Sequence, residues 1–455
     1  MLEPATSVRV PEKARAPFPP AVVGAILGVA TAAAYLIGSG RAFGYDAAVT
    51  FANFVATPSL LDAFAVHSQQ PTIPLFGIAG NDHVLVSLVS HLIYSTTGSR
   101  WEVVYRLIPA LAAAGIVGVT TAVLVARFGL VAGVCAGVYV ATNPLVVMNS
   151  RDLRGYSLAV LCALLATLVL PRATTGRWRW IYGLLLGLAI AAHLFTGLVL
   201  VAHFVWVAAS RPRADLWRLA PAWLAACIIG IGANANILWI DFTEHGLIPG
   251  VFDPSFPSDL VFYLVGAPEG LAMGLWLSTA ALGLWVLRRE RWLWLSLITI
   301  TAPVAFLWIV LHPAYMYPRF FMFLVPGCAY LIAAAVQRWR LVLAPAVILG
   351  AGAAVLFLVP GYTDDSIAVR QSAAVIERAN EAGRRPCLIH WDEQIMGAYS
   401  SRFYTVTSQD QLASCDLVVV VTWGVDVPLR DEAAKEFPHL TTLAAYDYPA
   451  VVLER

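Results

Sequence analysis

Long apolar runs separated by short basic segments fill the first 360 residues of the chain. A membrane-spanning helix needs about 20 consecutive apolar residues, and several runs approach or reach that length. The runs cover residues 21–39, 103–125, 131–148, 157–170, 219–240, 270–287, 292–311, 320–336 and 341–359. This pattern predicts a polytopic α-helical membrane domain over residues 21–360.

Arginine clusters between the runs predict which loops lie in the cytoplasm, because Lys and Arg accumulate on that side. The clusters lie at 172–179, 211–218, 288–291 and 338–340. Residues 180–209 have a cluster on either side, so we predict that they cross twice, as two short helices that meet near 193–196. Residues 82–97 must then stay on the outer surface as an apolar helix. The result is about eleven spans, with the N-terminus inside and the C-terminus outside.

The predicted outer loops carry the residues that are suited to chemistry. These loops are 40–102, which is long, 149–156, 241–269 and 312–318. They mix acids, histidines, tyrosines and arginines, whereas the inner loops are simply basic. We therefore expect any chemistry to face outward.

The high hydrophobic and low charged content of the chain also indicates that much of it lies in a lipid bilayer. Hydrophobic residues make up 59% of the chain and charged residues 13%, with a mean hydropathy of +0.74. Soluble domains have about a quarter of their residues charged. The formal net charge of +1 argues against a nucleic-acid partner. Residues 1–20 are polar and rich in Ala and Pro, which predicts a disordered cytoplasmic tail.

Residues 361–455 are far more polar and predict a small extracytoplasmic α/β domain. The periodicity gives helices at 364–385, 410–414 and 431–437 and strands at 387–391, 417–421 and 450–453. The β-branched run at 417–421 predicts a buried parallel strand.

Two pairs of residues in this domain are candidates for specific roles. Cys387 and Cys415 are candidates for a disulfide if the domain is extracytoplasmic, with free thiols as the alternative. Asp392 and Glu393 follow the first predicted strand, and ligands gather past the carboxyl ends of strands in open α/β sheets. They are therefore candidates for acceptor binding. The alternative is a domain that only stabilises the membrane part.

Asp46 is the first candidate for catalysis. It lies a few residues beyond the first span, in the sequence Phe-Gly-Tyr-Asp-Ala. A carboxylate at the membrane surface with apolar neighbours is suited to act as a general base. The alternative is a helix N-cap, since an Asp at that position satisfies a free backbone amide.

Arg151, Arg154 and Arg319 lie in or directly beside predicted outer loops, against the usual distribution of positive charge. Three arginines there call for an anionic partner, and a phosphate held by guanidinium groups is a natural one. The alternative is contact with lipid headgroups. Tyr156 and Tyr317 are candidates for further hydroxyl donors, or for interfacial anchors.

Metal and nucleotide sites find no support in the sequence. The histidines at positions 67, 83, 193 and 312 have a spacing that fits no compact metal motif. The chain has no glycine-rich phosphate loop and no Gly-x-Ser-x-Gly elbow.

Five short segments follow one another along the membrane domain. They are Tyr45-Asp46, Asn81-Asp82-His83, Arg106-Leu-Ile-Pro109, Ser150-Arg-Asp-Leu-Arg-Gly-Tyr156 and Tyr315-Met-Tyr-Pro-Arg319. In this order and with this topology, the chain resembles the GT-C glycosyltransferases, especially the bacterial branch related to protein O-mannosyltransferases and aminoarabinose transferases.

The resemblance implies a GT-C fold and a polyprenyl-phosphate-linked sugar as donor, without a metal or further cofactor. It also implies transfer at the outer face of a bacterial plasma membrane, with inversion at the anomeric carbon. Asp46 would deprotonate the acceptor hydroxyl, with His83 nearby. The residues implied to hold the donor phosphate are Arg151, Arg154, Tyr156, Tyr317 and Arg319.

Several points stay open after the resemblance is taken into account. The family often has an acidic pair in the first outer loop, whereas Ala47 follows Asp46 here, so Asp62 and Asp82 are candidates for a second acid. The acceptor is a glycan, a lipid or a protein, and mannose and arabinose are the leading sugars. A lipid or sugar transporter (flippase) and an inactive GT-C scaffold are the alternative functions. A transporter would need ionisable residues within spans or an internal repeat, and neither is evident in the sequence.

Overall fold

The structure is a computed structural model of the 455-residue chain. It describes residues 18–37, 39–40, 43–65, 82–240, 243, 254–265, 270–290, 301, 304–305, 308–309, 316–363, 367–389, 396–400, 402–421, 428–442 and 450–454.

Helices make up most of the described chain before residue 364. In chain order they are α1 (Pro20–Leu36), α2 (Tyr45–Thr50), α3 (Val84–Thr97), α4 (Glu102–Phe128), α5 (Leu130–Thr142), α6 (Pro144–Asn149), α7 (Tyr156–Val169), α8 (Gly176–Ala192), α9 (Gly197–Ser210), α10 (Arg213–Ala233), α11 (Ala235–Ile240), α12 (Phe256–Val265), α13 (Gly270–Val286), α14 (Val325–Arg338) and α15 (Arg340–Thr363). Shorter turns are the π-helix Phe51–Val55 and the 3₁₀ helices Leu60–Phe64, Leu170–Arg172, Leu194–Thr196 and Pro318–Leu324.

Three of the described helical stretches are long and apolar enough to span a bilayer: Glu102–Phe128, Arg213–Ala233 and Pro318–Arg338. Shorter apolar helices, among them α1, α5 and α9, accompany them. The chain is therefore a membrane protein. The total of about eleven spans and the division at residues 20 and 360 stay predictions, and most of the run at 292–311 lies outside the described residues.

Small residues bring α1 and α4 into close contact. A Cβ atom on Gly24 would lie 2.4 Å from the carbonyl oxygen of Gly118, and one on Gly28 would lie 3.1 Å from that of Ala114. Glycines spaced four apart let two helix backbones approach closely in a membrane. Helix α1 is thereby fixed against the long helix α4, and the residues that follow α1 are placed beside the start of α4.

Several of the predicted apolar stretches are interrupted. The predicted break at 193–196 is present, because α8 ends at Ala192 and α9 begins at Gly197 after one 3₁₀ turn. The run at 131–148 was predicted as one span, and this is wrong, because Asn143 has an extended backbone and separates α5 from α6. The reason is Pro144, whose ring disfavours helical geometry in the residue before it.

The C-terminal domain consists of a five-stranded sheet with helices on both faces. Its elements are α16 (Ile367–Glu381), β1 (Pro386–Ile389), β2 (Tyr404–Val406), α17 (Gln409–Leu412), β3 (Leu417–Val421), α18 (Pro428–Glu436), β4 (His439–Thr442) and β5 (Ala450–Glu454), with strand order β2-β1-β3-β5-β4. Leu417 and Val419 pack towards α16, whereas Val418 and Val420 pack towards α18. This alternation explains why β3 is apolar at every position.

The sequence predicted the small α/β layer but not its full topology. Strand β3 pairs in parallel with β1, as predicted, but antiparallel with β5. Strands β2 and β4 were missed, because each is short, lies at an edge of the sheet, and contains polar residues.

Cys387 and Cys415 form a disulfide in the structure, with Cα atoms 5.8 Å apart and a sequence separation of 28. The chain-entropy model gives a stabilisation of about 3–4 kcal/mol for a loop of this length. We expect a maleimide to label two more thiols per denatured chain after reduction than before it. The variant Cys387→Ala/Cys415→Ala should show no such difference. Equal labelling of the natural chain with and without reductant would contradict the disulfide.

Candidate functional site

Asp46 lies between two arginines from distant parts of the chain. Its Oδ2 atom is 2.7 Å from Nη2 of Arg154 and 3.1 Å from Nη1 of Arg319. The side chains of Asp46 and Arg319 are 27% and 32% exposed, whereas that of Arg154 is 1% exposed. Arg154 therefore supports Asp46 from the interior, and Arg319 is the cation that a ligand arriving from solvent meets first.

Local structure fixes Asp46 in this position. Helix α2 begins directly after Gly44, which has an extended backbone and is the N-cap residue, and Asp46 lies in the first turn. The alternative prediction that Asp46 is itself an N-cap is therefore wrong. Ala47, Ala48 and Val49 are fully or almost fully buried and hold α2 against the neighbouring helices. A carboxylate in the first turn is also favourable to the helix dipole.

Arg154 lies in the non-helical segment between α6 and α7, where a close approach of two backbones fixes the chain. A Cβ atom on the following residue, Gly155, would lie 2.1 Å from the carbonyl oxygen of Ala192 and 3.1 Å from Nδ1 of His83. Only glycine fits there without displacement. Leu153 is fully buried on the other side of Arg154. The segment is thus anchored on both sides of the arginine that contacts Asp46.

Asp152 is a second acid in the same place, and sequence reasoning missed it as a functional residue. Its Oδ2 atom is 3.8 Å from Nε of Arg154. Desolvation raises the pKa of the Asp152 carboxyl, and the positive charge of Arg154 opposes this rise. The signal was available, because Asp152 lies between Arg151 and Arg154, which were both candidates for the site. Asp82, one of the other candidates for a second acid, accepts a hydrogen bond from Ser87.

His83 lies beside the arginines and is buried. Its Nδ1 atom is 3.1 Å from the carbonyl oxygen of Ala192, which makes Nδ1 the donor and leaves Nε2 as an acceptor. Nε2 is buried and has no hydrogen-bond partner among the described residues. Burial, followed by the charge of Arg154, lowers the pKa of His83 well below its ordinary value. His83 is therefore neutral at pH 7.

Aromatic rings surround the guanidinium group of Arg319. Its Cζ atom lies 4.6 Å from the ring centre of Tyr317 and 5.9 Å from that of Tyr156. The ring of Tyr156 also lies 4.7 Å from that of His83 and 4.6 Å from that of His193, between centroids. Such rings attract the cation and restrict its rotamers. They also give the site an apolar wall.

Asp82 precedes α3 and is buried, and its carboxyl is only partly satisfied. Oδ1 accepts a hydrogen bond from Ser87 at 2.5 Å, and Oδ2 has no partner within the described part of the chain. Burial raises the pKa of Asp82 well above its ordinary value. Between the ordinary pKa and the raised pKa, the folded chain keeps a proton on Asp82 that the unfolded chain has lost. The free energy of unfolding therefore falls as the pH rises through this range.

Replacement of Asp82 by Asn should remove this pH dependence. We expect the thermal midpoint of the natural chain in detergent to fall more steeply than that of the variant between about pH 4 and pH 8. Asp410→Asn, at an exposed position, serves as the control and should follow the natural chain. Parallel curves for the natural chain and Asp82→Asn would contradict burial of an uncharged carboxyl.

The other predicted site residues are placed differently. Arg151 donates a hydrogen bond to the carbonyl oxygen of Ile37 at 3.1 Å. Asp392 and Glu393, proposed for acceptor binding, lie outside the described residues. So do His67 and His312. Among the described residues, no group of three or more His, Cys, Asp or Glu side chains converges as a metal site would require.

Comparisons with known proteins bear on the fold of the chain. No protein-family model matches the sequence, and no curated protein matches it. The structure is similar to that of ArnT from Cupriavidus metallidurans bound to undecaprenyl phosphate, with a TM-score of 0.62 and 14% identity. The apo state of the same ArnT gives a TM-score of 0.60 and 13% identity. Each match covers 94% of this chain and 97% of ArnT. The chain therefore shares the fold of ArnT along nearly its whole length, which is the GT-C fold that the resemblance implied.

Proposed function

We propose that the chain is a membrane glycosyltransferase that moves a sugar from a polyprenyl-phosphate carrier to an acceptor hydroxyl outside the membrane. The observation that carries this proposal is the acid–arginine centre in which Asp46 contacts both Arg154 and Arg319. A general base beside an exposed cation is the combination that transfer from a phosphate leaving group requires. The shared fold supports the proposal, because the ArnT of the comparison was solved with undecaprenyl phosphate bound.

Arg319 is the residue that contacts the donor phosphate in this proposal. Its side chain is 32% exposed, so a phosphate can reach the guanidinium group from solvent. A guanidinium group binds a phosphate through paired N–H donors. Tyr317, which is 42% exposed, lies at the outer side of Arg319 and is placed to add a hydroxyl donor.

Arg154 and Arg151 contribute differently from Arg319. Arg154 is almost inaccessible to solvent, so its main task is to hold Asp46 while adding positive charge behind the phosphate. Arg151 is bound to the carbonyl of Ile37 and is a secondary candidate for phosphate contact. Tyr156, which is buried, orients Arg319 by contact with its guanidinium group.

Transfer then proceeds as a single displacement. The oxygen of the acceptor hydroxyl attacks the anomeric carbon, and the bond between that carbon and the phosphate oxygen breaks. The bonding electron pair leaves with the polyprenyl phosphate, whose added negative charge is stabilised by Arg319. The acceptor proton passes to the carboxylate of Asp46. Direct displacement inverts the configuration at the anomeric carbon.

The environment of the carboxylate favours this division of roles. Two ion pairs hold Oδ2 of Asp46, so the acceptor proton is directed to Oδ1. The carboxyl of Asp152, whose pKa is raised, can receive the proton in a later step before release to solvent. His83 stays neutral and offers Nε2 as an acceptor for a sugar or acceptor hydroxyl.

Substrate identity is a further part of the proposal. Mannose and arabinose are the leading sugars, and the acceptor is a glycan, a lipid or a protein on the outer side of the plasma membrane. The C-terminal domain faces the same side, and Asp392 and Glu393 remain candidates for acceptor contact. Positive charge for the leaving group comes from the arginines, and we propose that no metal ion takes part.

The test is a transfer assay with the purified full chain in lipid nanodiscs. Radiolabelled polyprenyl-phosphate mannose and polyprenyl-phosphate arabinose are offered with a cell-envelope fraction as acceptor. We expect label to leave one of the two lipids and enter the acceptor fraction, with the rate unchanged by EDTA. Retention of the label on both carriers, while undecaprenyl phosphate binds, would reject the transferase. Loss of transfer on EDTA treatment and recovery with added cation would reject the metal-free mechanism.

A further inference from the structure

The segment that joins the first span to the helix bearing Asp46 is held by three side chains in succession. Nη1 of Arg106 donates to the carbonyl oxygen of Ser39 at 2.7 Å. Nη2 of Arg370 donates to the carbonyl oxygen of Gly40. The backbone N–H of Phe43 donates to the hydroxyl of Tyr399 at 2.5 Å. The last two side chains belong to the C-terminal domain.

The carboxylate of Glu102 joins these contacts at the start of α4. It is 3% exposed, and its Oε1 atom lies 2.8 Å from Nη2 of Arg370 and accepts a hydrogen bond from the Tyr399 hydroxyl at 2.8 Å. The hydroxyl of Tyr399 thus accepts from Phe43 and donates to Glu102. A buried carboxylate needs such partners, because an unpaired charge in this position is costly.

Packing strengthens the same junction. The ring of Phe43 lies 5.0 Å from that of Phe51 and 6.2 Å from that of Tyr399, between centroids. Ala398 packs into the cluster that contains Phe43 and Phe51, and its carbonyl oxygen accepts a hydrogen bond from Arg100 at 2.8 Å. The C-terminal domain is therefore part of the wall behind α2.

We propose that Tyr399 and Arg370 are positioning residues through which the C-terminal domain fixes the segment before Asp46, so that the carboxylate meets Arg319. The catalytic part of this inference rests on the proposed transferase function. Phe43 is three residues before Asp46, and only Gly44 and Tyr45 separate them. A displacement of about 1 Å at a catalytic group can lower a rate about 10²-fold. The domain thus contributes to catalysis without contact with the reacting atoms.

Hydrogen exchange of the full chain in nanodiscs tests the positioning directly. In Tyr399→Phe, the amide of Phe43 loses its acceptor, and we expect the peptide covering residues 43–50 to exchange roughly fivefold faster or more. Arg370→Gln should have the same direction of effect. Arg378→Gln, on the exposed face of the same helix α16, is the matched control and should leave exchange unchanged. Peptides from strand β3 report whether the domain itself remains folded.

Unchanged exchange at 43–50 in both variants would overturn the inference, and so would equally faster exchange in β3, which would indicate general unfolding.

Kinetic measurements then separate the positioning proposal from the proposed transferase function. If the chain transfers sugar, Tyr399→Phe should lower kcat about tenfold or more with little change in KM for the donor. Unchanged kcat would overturn the catalytic part. If no transfer is found in the natural chain while exchange still responds, the transferase fails and the positioning stands.

Discussion

Replacement of Asp46 by Asn is expected to lower the rate of sugar transfer by about 10²–10⁴-fold, the range that a positioned general base contributes. The amide keeps the size of the carboxylate but cannot take the acceptor proton. Binding of undecaprenyl phosphate should persist, because Arg319 is left without its anionic partner and remains available to the phosphate. The measurement is a single-turnover transfer rate beside a binding titration with undecaprenyl phosphate in nanodiscs.

Asp152→Asn is the matched comparison for this variant. Its carboxyl lies 3.8 Å from Arg154, whereas that of Asp46 lies 2.7 Å from the same arginine. We expect a smaller loss of rate than for Asp46→Asn. A near-normal rate in Asp46→Asn, or a larger loss in Asp152→Asn, would move the base from Asp46 to Asp152. A thermal midpoint is recorded for both, because removal of a partner from the buried Arg154 also lowers stability.

Replacement of Arg319 by Ala is expected to weaken binding of undecaprenyl phosphate by about tenfold to 100-fold. A hydrogen bond to a charged group contributes about 1.5–3 kcal/mol, and each 1.4 kcal/mol corresponds to a factor of ten. Arg319→Lys should recover part of the affinity, since a single ammonium charge replaces the paired donors of the guanidinium group. The dissociation constant is measured with the same nanodisc titration.

Arg151→Ala provides the control for Arg319, because both arginines were candidates for the phosphate from sequence alone. The structure pairs Arg151 with a backbone carbonyl, so its removal should change the affinity less than that of Arg319. An unchanged dissociation constant in Arg319→Ala would remove Arg319 from the phosphate site. A larger effect of Arg151→Ala would assign the phosphate to that arginine.

Much of the site could be predicted because topology places helix ends together. Asp46, Arg154 and Arg319 are 108 or more residues apart in sequence, yet each lies in or directly beside a loop that was predicted to be outside. The positive-inside tendency makes outer arginines stand out, so residue type and location together indicated them. The break between α8 and α9 was predicted because basic clusters on both sides of residues 180–209 require two crossings. This break places His193 beside His83.

The pairing within the site could not be predicted. Sequence reasoning assigned Arg154 and Arg319 to a phosphate. In the structure, both of these arginines contact Asp46. The sequence gives the sign of each charged group but not which opposite charge lies within 4 Å of it. That depends on packing, such as the close approach of the Gly155 backbone to that of Ala192. Asp152 was missed for the same reason. Its value as a second acid depends on desolvation, which is a property of the folded chain.

The junction between the two domains was also beyond the sequence. In the sequence, Glu102 marks only the end of a predicted loop, and no pattern singles out Tyr399 or Arg370. Their roles depend on a contact between parts of the chain separated by nearly 300 residues, as in the bond between Tyr399 and Glu102. The short edge strands β2 and β4 were not predicted, because strands of three and four residues are too short to show a clear alternation of apolar and polar residues.

The central claim is that a lipid-linked phosphate binds at Arg319 beside Asp46, and a cryo-electron microscopy structure of the full chain in nanodiscs with undecaprenyl phosphate tests it most directly. We predict density for the phosphate within hydrogen-bond distance of the Arg319 guanidinium group, about 2.7–3.2 Å, with the Asp46 carboxylate next to it. Phosphate density elsewhere on the protein, with the ion pair between Asp46 and Arg319 undisturbed, would contradict the claim.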